Sequence, residues 1–325
     1  MAALLRQVRI DWLCKDGKID QAVASTDEML GKNLWQLEPR QVLIGGLVKS
    51  DNYPRAEKQI EAWLTQLEAS AATQPALTQP AKPPAPVPGM VIEIQPAPAR
   101  ASPGEILAWH REMLVRIILM QNQHQRSVER AKAFLVDHPD DVDLLSAMAL
   151  GLAEMGQREL ARQTLEKAFK LKSDDPGLNN DLGYHYADEG IELDKAERMI
   201  RKALAEHPTA AVLDSLGWLR YKQGMFDQAR RILEQALREM ATEGREHPVM
   251  FEHLGDVWAR LGNLAQAQTH WQKALDLAAK EKFPSAEVRS ILKKTPAKIE
   301  AVKAGRPPEP APLGKGVISD QVDPQ

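Results

Sequence analysis

Four sets of side chains in this sequence are of types and spacings that could do chemistry. Asp188-Glu189 could serve as adjacent carboxylates for acid–base work, but the pair adjoins Gly190 and reads as an exposed acidic helix end. His247 and His253 could ligate a metal, yet they stand six residues apart, a poor spacing for one helical face, and no Cys is near. Cys14 could carry a lipid, but it follows Asp-Trp-Leu rather than an apolar segment ending in small residues, so it reads as a small hydrophobe buried in a helix. Residues 282–306 hold seven Lys/Arg against two Glu, a net of +5 that could meet an acidic partner. Such a run is ordinarily the wet face of a terminal cap helix, here with Ser285 as its N-cap and Pro296 as a break or restart. The sequence contains no G-x-x-x-x-G-K-[ST], G-x-S-x-G, H-E-x-x-H or C-x-x-C pattern. No enzyme, metal, cofactor or small-molecule substrate is therefore expected.

Composition narrows the class further. The 325 residues are 43% hydrophobic and 27% charged, ordinary for a soluble chain, with a formal net charge of −3. That balance argues against an electrostatic nucleic-acid binder, which carries a basic face. One cysteine cannot form an intrachain disulfide; this is compatible with a reducing cytosol without excluding an envelope compartment. No run of apolar residues is long enough to span a bilayer. Arg6, Arg9 and Asp11 interrupt the start, so a signal-peptide core is absent and a cytoplasmic chain is expected. A start upstream of Met1 would instead fit the cell envelope or periplasm.

The elements that position these residues announce themselves by repetition. Leu-Gly recurs at 182–183, 216–217 and 254–255, steps of 34 and 38 residues. Seven residues after each of these glycines stands another: Gly190, Gly224 and Gly262. Then come Ala196, Ala229 and Ala267, and later Ala203-Leu204, Ala236-Leu237 and Ala274-Leu275. A small residue at Gly183, Gly217 and Gly255 lets a second helix approach closely, and large apolar neighbours fill the space beside it. The later glycines sit where one helix ends and the chain turns, a place that favours positive φ. Each unit is a helix–turn–helix of about 34 residues that cannot bury its face alone.

This spacing resembles the tetratricopeptide repeat (TPR), with units at 142–175, 176–209, 210–247 and 248–281. Fainter units can be phased at 108–141, 3–36 and 37–70. The resemblance implies an all-α, right-handed superhelical solenoid. Its parts are degenerate N-terminal repeats over 1–70, a Pro/Ala-rich linker over 71–103 and an array over 104–281. A basic capping helix over 282–305 and a disordered tail over 306–325 complete it. The linker holds nine prolines in 33 residues and tends to polyproline II; its run 90–94, MVIEI, is β-like. The phrases LNNDLGYHYADEG, LDSLGWLRYKQG and FEHLGDVWARLG are similar to the last repeats of large TPR proteins of bacterial cell envelopes, many of them lipoproteins.

In TPR arrays the first helix of each unit lines the inner wall. The motif then implies a partner-binding groove of Asn180, Tyr184 and Asp188, then Asp214, Trp218 and Lys222, then Glu252, Asp256 and Arg260. Tyr184 and Trp218 would be its aromatic platforms. Its carboxylates would repel a C-terminal carboxylate, so a basic or apolar segment is the better ligand. The expected function is a non-catalytic scaffold or adaptor binding a protein or peptide segment. The alternative is the non-catalytic part of a larger enzyme, or an envelope or polysaccharide assembly factor.

Overall fold

The computed structural model of the protein describes residues 2–31, 33–73 and 101–315. The run 90–94 and residues 316–325 lie outside the described residues. Those described form fifteen α-helices and no strand. The chain divides by packing into two bodies, residues 1–155 and 156–325.

The first body holds α1 (Ala2–Lys15), α2 (Ile19–Leu30), α3 (Glu38–Lys49), α4 (Tyr53–Thr73), α5 (Pro103–Met120), α6 (His124–Asp137) and α7 (Val142–Glu154). Its core joins Leu13 and Cys14 of α1, Leu43 and Leu47 of α3, Ile60, Trp63 and Leu67 of α4, and Ile106, Leu114 and Ile117 of α5. Cys14 is buried as expected, and burial followed by the nearby Asp11 pushes its thiol up to about 11, which leaves it inert. The helices on the two sides of the proline-rich linker thus share one core, which bridges the boundary expected at 71–103. Residues 71–73 belong to α4. Ser102 starts α5 with a capping box: the Glu105 amide donates to Ser102 Oγ at 3.3 Å, and the Ser102 amide donates to Glu105 Oε2 at 2.6 Å. The unit 108–141 lacks a turn glycine, and Asn122 takes the left-handed conformation there instead (φ 62°).

The second body holds α8 (Arg158–Leu171), α9 (Pro176–Glu189), α10 (Leu193–Glu206), α11 (Ala210–Lys222), α12 (Phe226–Thr242), α13 (Pro248–Arg260), α14 (Leu264–Ala278) and α15 (Ala286–Lys303). Asp175 and Thr209 cap α9 and α11 by accepting the amides of Leu178 and Val212. The pairs α9/α10, α11/α12 and α13/α14 close as hairpins, and α9, α11 and α13 lie side by side. The repeated glycines sit where the hairpins touch. A Cβ on Gly183 would lie 2.8 Å from Ile200 Cγ1, and one on Gly217 would lie 2.6 Å from Leu233 Cγ. Gly255 meets the ring of Trp271 in the same way.

The C-terminal part departs from expectation. Ser285 caps α15 as read, accepting the Val288 amide at 3.2 Å. The helix then runs through Pro296 without a break, its inner face set by Val288, Ile291, Thr295, Lys298 and Ile299. Of residues 306–315, expected to be disordered, 311–315 lie against the body, with Gly314 buried.

Gly217→Leu should destabilise the second body by about 1–3 kcal/mol, because the larger side chain must displace Leu233 within a closed hairpin. Thermal denaturation followed by circular dichroism checks this; an unchanged melting temperature would contradict the hairpin packing.

Candidate functional site

The residues that the motif assigns to the wall stand on α9, α11 and α13, spaced by four and hence on one helical face. The structure brings eight of the nine into one network, most of it buried. The ninth, Asn180, is also buried and donates from Nδ2 to Asp181 Oδ1 at 3.3 Å, apart from the others.

Trp218 is not an open platform: it is 3% exposed. Its indole is stacked between Tyr221 (centroids 4.7 Å apart) and His253 (3.9 Å), and its Nε1 donates to Asp188 Oδ1 at 3.1 Å. Lys222 lies 5.0 Å from the indole centroid, with its ammonium donating to the Asp188 carbonyl at 2.9 Å. Asp188 and Glu189 are not an exposed acidic end either. Asp188 Oδ2 accepts from Arg158 at 2.6 Å, and Glu189 is paired with Arg162 at 3.2 Å. Burial works against the Asp188 charge, but Arg158 and Lys222 hold its carboxyl below the usual range.

Tyr184 donates its hydroxyl to Glu287 of α15 at 2.7 Å. Burial lifts the Glu287 carboxyl, and burial with Glu287 alongside lifts the Tyr184 phenol well above its ordinary value. On α13, Glu252 and Asp256 share the ammonium of Lys298, at 2.5 and 2.6 Å. Lys298 is therefore an inward, buried member of the basic run, not part of a wet face. Asp256 is fully buried and takes two further donors: Trp271 Nε1 at 2.9 Å on Oδ1, and the Ala311 amide at 2.9 Å on Oδ2. Burial and then Glu252 push this carboxyl up to about 6, against the pull of Lys298 and the Ala311 amide.

The tail runs across this wall. The Ala311 carbonyl accepts from Arg260 Nη2 at 3.0 Å and from the Tyr221 hydroxyl. The Gly314 amide donates to the Lys222 carbonyl and the Lys315 amide to the Gly190 carbonyl, each at 2.8 Å. Ala311 and Leu313 pack against the cluster of Trp218, Tyr221, Phe226 and Leu254. The wall is thus occupied by α15 and by residues 311–315 of the same chain.

Sequence reasoning weighed His253 only as a metal ligand and missed Tyr221, Arg158, Glu287, Lys298 and the tail. One signal for α15 was present: Glu287 and Lys298 are eleven residues apart, about three helical turns, with Ile291 between them on that face. The tail gave no such signal, because its bonds to the wall are made by backbone.

What this arrangement defines first is a class: a helical-repeat fold whose first helices form a polar and aromatic wall lined by a second layer of the chain. The comparisons name the repeat. A model of the tetratricopeptide repeat matches residues 211–239. The chain is 32% identical over 138 residues to a TPR repeat-containing protein of Pseudomonas aeruginosa, covering 42% of this chain and 22% of that protein. It is 28% identical over 153 residues to the type IV pilus assembly protein PilF of the same species, covering 47% of this chain and 60% of that protein. It therefore spans less than two thirds of either relative. A solved tetratricopeptide repeat protein from Parabacteroides merdae aligns with a TM-score of 0.50 at 16% identity, over 86% of this chain and 88% of that one, a likeness of fold. The chain thus carries a tetratricopeptide repeat at residues 211–239 and shares the fold of a solved tetratricopeptide repeat protein. Proteins of this kind are generally protein-interaction scaffolds, and the fold is generally non-catalytic. No described helix is long and apolar enough to cross a membrane.

His253 makes the wall pH-dependent. Burial opposes its charge, but Asp214 of α11, 3.1 Å from Nδ1, outweighs that, with Glu252 on α13 and Glu287 on α15 adding to it; the imidazole is raised to about 9. From α9 it faces Tyr184, and His247 lies near. Since the folded value lies above the ordinary 6.5, this stabilisation is complete below pH 6.5 and is lost as pH rises through 9. Burial lowers His185, His247 and His270, whose windows therefore lie below 6.5. Denaturant melts at pH 6.5 and 9 should differ by at most about 3 kcal/mol, and His253→Gln should remove most of the difference. An equal pH slope in the variant would contradict the pairing.

Proposed function

We propose that the second body is a non-catalytic scaffold that holds a segment of another protein along the wall of α9, α11 and α13. One observation carries this reading. The wall already holds an extended segment, the chain's own tail, through Asp256, Arg260, Tyr221 and the Lys222 carbonyl. The charged groups of the wall are engaged in pairs, Asp214 with His253, Asp188 with Arg158, and Glu252 with Lys298, which suits holding rather than reacting. The segment already held there packs Ala311 and Leu313 on the apolar cluster of the wall, which supports an apolar ligand segment. The relative named for pilus assembly supports a use in building a multi-protein structure.

A photo-crosslinking aromatic residue in place of Tyr184, on the wall, should give a discrete protein adduct in cells of the source organism. The same residue in place of Arg198, exposed on α10, should not. Adducts from position 198 alone, or the same adducts from both positions, would contradict the reading.

A further inference from the structure

The tail's contacts describe a ligand. From Pro307 the chain reads Pro-Pro-Glu-Pro-Ala-Pro-Leu-Gly-Lys. Prolines at 307, 308, 310 and 312 have no N–H to lose, and each disfavours helix in the residue before it. Such a segment is extended before it binds, so ordering it costs little. Of the N–H groups that remain from 309 to 315, those of Ala311, Gly314 and Lys315 are all donated to the body. The Ala311 carbonyl takes two donors, Arg260 and Tyr221. Leu313 supplies the apolar contact, against Trp218, Tyr221 and Leu254.

Position 314 has a steric rule. A Cβ there would lie 2.6 Å from Leu193 Cδ1 and 3.0 Å from the Lys222 carbonyl oxygen. Gly190 is its counterpart, since a Cβ on Gly190 would lie 2.8 Å from Gly314 Cα. Two glycines, 124 residues apart in sequence, are thus the close-approach points of one extended segment on one turn.

The segment is also built to leave. It follows the end of α15 at Lys303, and a left-handed turn at Gly305 (φ 67°) separates the two. Glu309 and Pro312 face solvent. No helix has to unfold for residues 306–315 to lift off.

Resting on the scaffold reading above, we propose that the wall of α11 and α13 recognises an extended, proline-alternating segment ending in Leu-Gly, and that residues 309–315 are the chain's own copy of that ligand. A segment of the same pattern on a partner protein displaces the copy. The tail then sets a threshold: tethered to the wall, it competes at an effective concentration of order millimolar, so only partners of matching pattern or high local concentration enter.

The test uses the full chain and the labelled peptide PPEPAPLGK, read by fluorescence anisotropy. Gly314→Val should expel the tail through its clash with Leu193, and the peptide should bind this variant at least about tenfold more tightly than wild type. Leu313→Asp, which removes the apolar contact without touching a helix, serves as a second release variant should Gly314→Val fold poorly. A peptide carrying Val at the Gly314 position should bind neither. The peptide KPPAPVPG, the sequence of residues 82–89, repeats the basic-Pro-Pro-x-Pro-small-Pro pattern of residues 306–312 without Leu-Gly, and should bind more weakly. Equal affinity for wild type and both release variants overturns the proposal, as does no binding to a release variant with an unchanged circular dichroism spectrum. Equal binding of KPPAPVPG overturns the Leu-Gly requirement. Photo-crosslinking from position 184 in the release variant separates this proposal from the broader reading. A partner adduct with no peptide binding removes the ligand class and leaves the scaffold standing, whereas peptide binding with no adduct does the reverse.

Discussion

Asp256 is fully buried, and a buried carboxylate must be paired and hydrogen-bonded or it costs several kcal/mol. Its three donors come from three places: Trp271 on α14, Lys298 on α15 and the Ala311 amide of the tail. One side chain thus ties a hairpin partner, the last helix and the C-terminal segment to the wall of α13. Removing either side-chain donor, Trp271 or Lys298, would leave a charge without its full complement in a place that water does not reach. This requirement acts together with apolar burial, since Val288, Ile291 and Ile299 on the inner face of α15 pack into hydrophobic clusters with α13 and α14.

The wall itself depends on the hairpins beneath it. Gly183, Gly217 and Gly255 bring each first helix against Ile200, Leu233 and Trp271 of its second. That close approach sets α9, α11 and α13 side by side and lets residues from different repeats meet. Trp218 can then stack on His253, one repeat on, while its N–H reaches Asp188, one repeat back. The packing therefore leads directly to the chemistry of the wall: small residues fix the spacing, and the spacing makes the aromatic and ionic network possible.

The repeats were legible because their constraints are steric and periodic. A glycine where two helices touch and a left-handed glycine at the turn recur at fixed intervals, and Asn122 shows that another residue tolerant of positive φ can stand in. Wall residues were legible for the same reason, since four-residue spacing on a first helix determines a face. Their burial was not legible. It arises from α15 and the tail, which lie outside the repeat. The basic run read as a solvated cap because composition cannot reveal that Lys298 turns inward to Glu252 and Asp256. The tail read as disordered because Pro-rich sequence lacks an apolar pattern, and its anchoring hydrogen bonds are made by the main chain, which no side-chain type announces. In the same way, the linker read as a boundary although Leu67 and Ile117, on opposite sides of it, share a core.

The central claim is that the wall is held closed by the chain's own C-terminal segment. Hydrogen–deuterium exchange resolved to single amides measures this directly in the full-length protein. Occupation predicts slow exchange at Ala311, Gly314 and Lys315, whose amides are bonded to Asp256, Lys222 and Gly190, beside fast exchange at Glu309, which faces solvent. Exchange at Ala311, Gly314 and Lys315 at the rate of a free peptide would mean that the wall stands open, and would contradict the account.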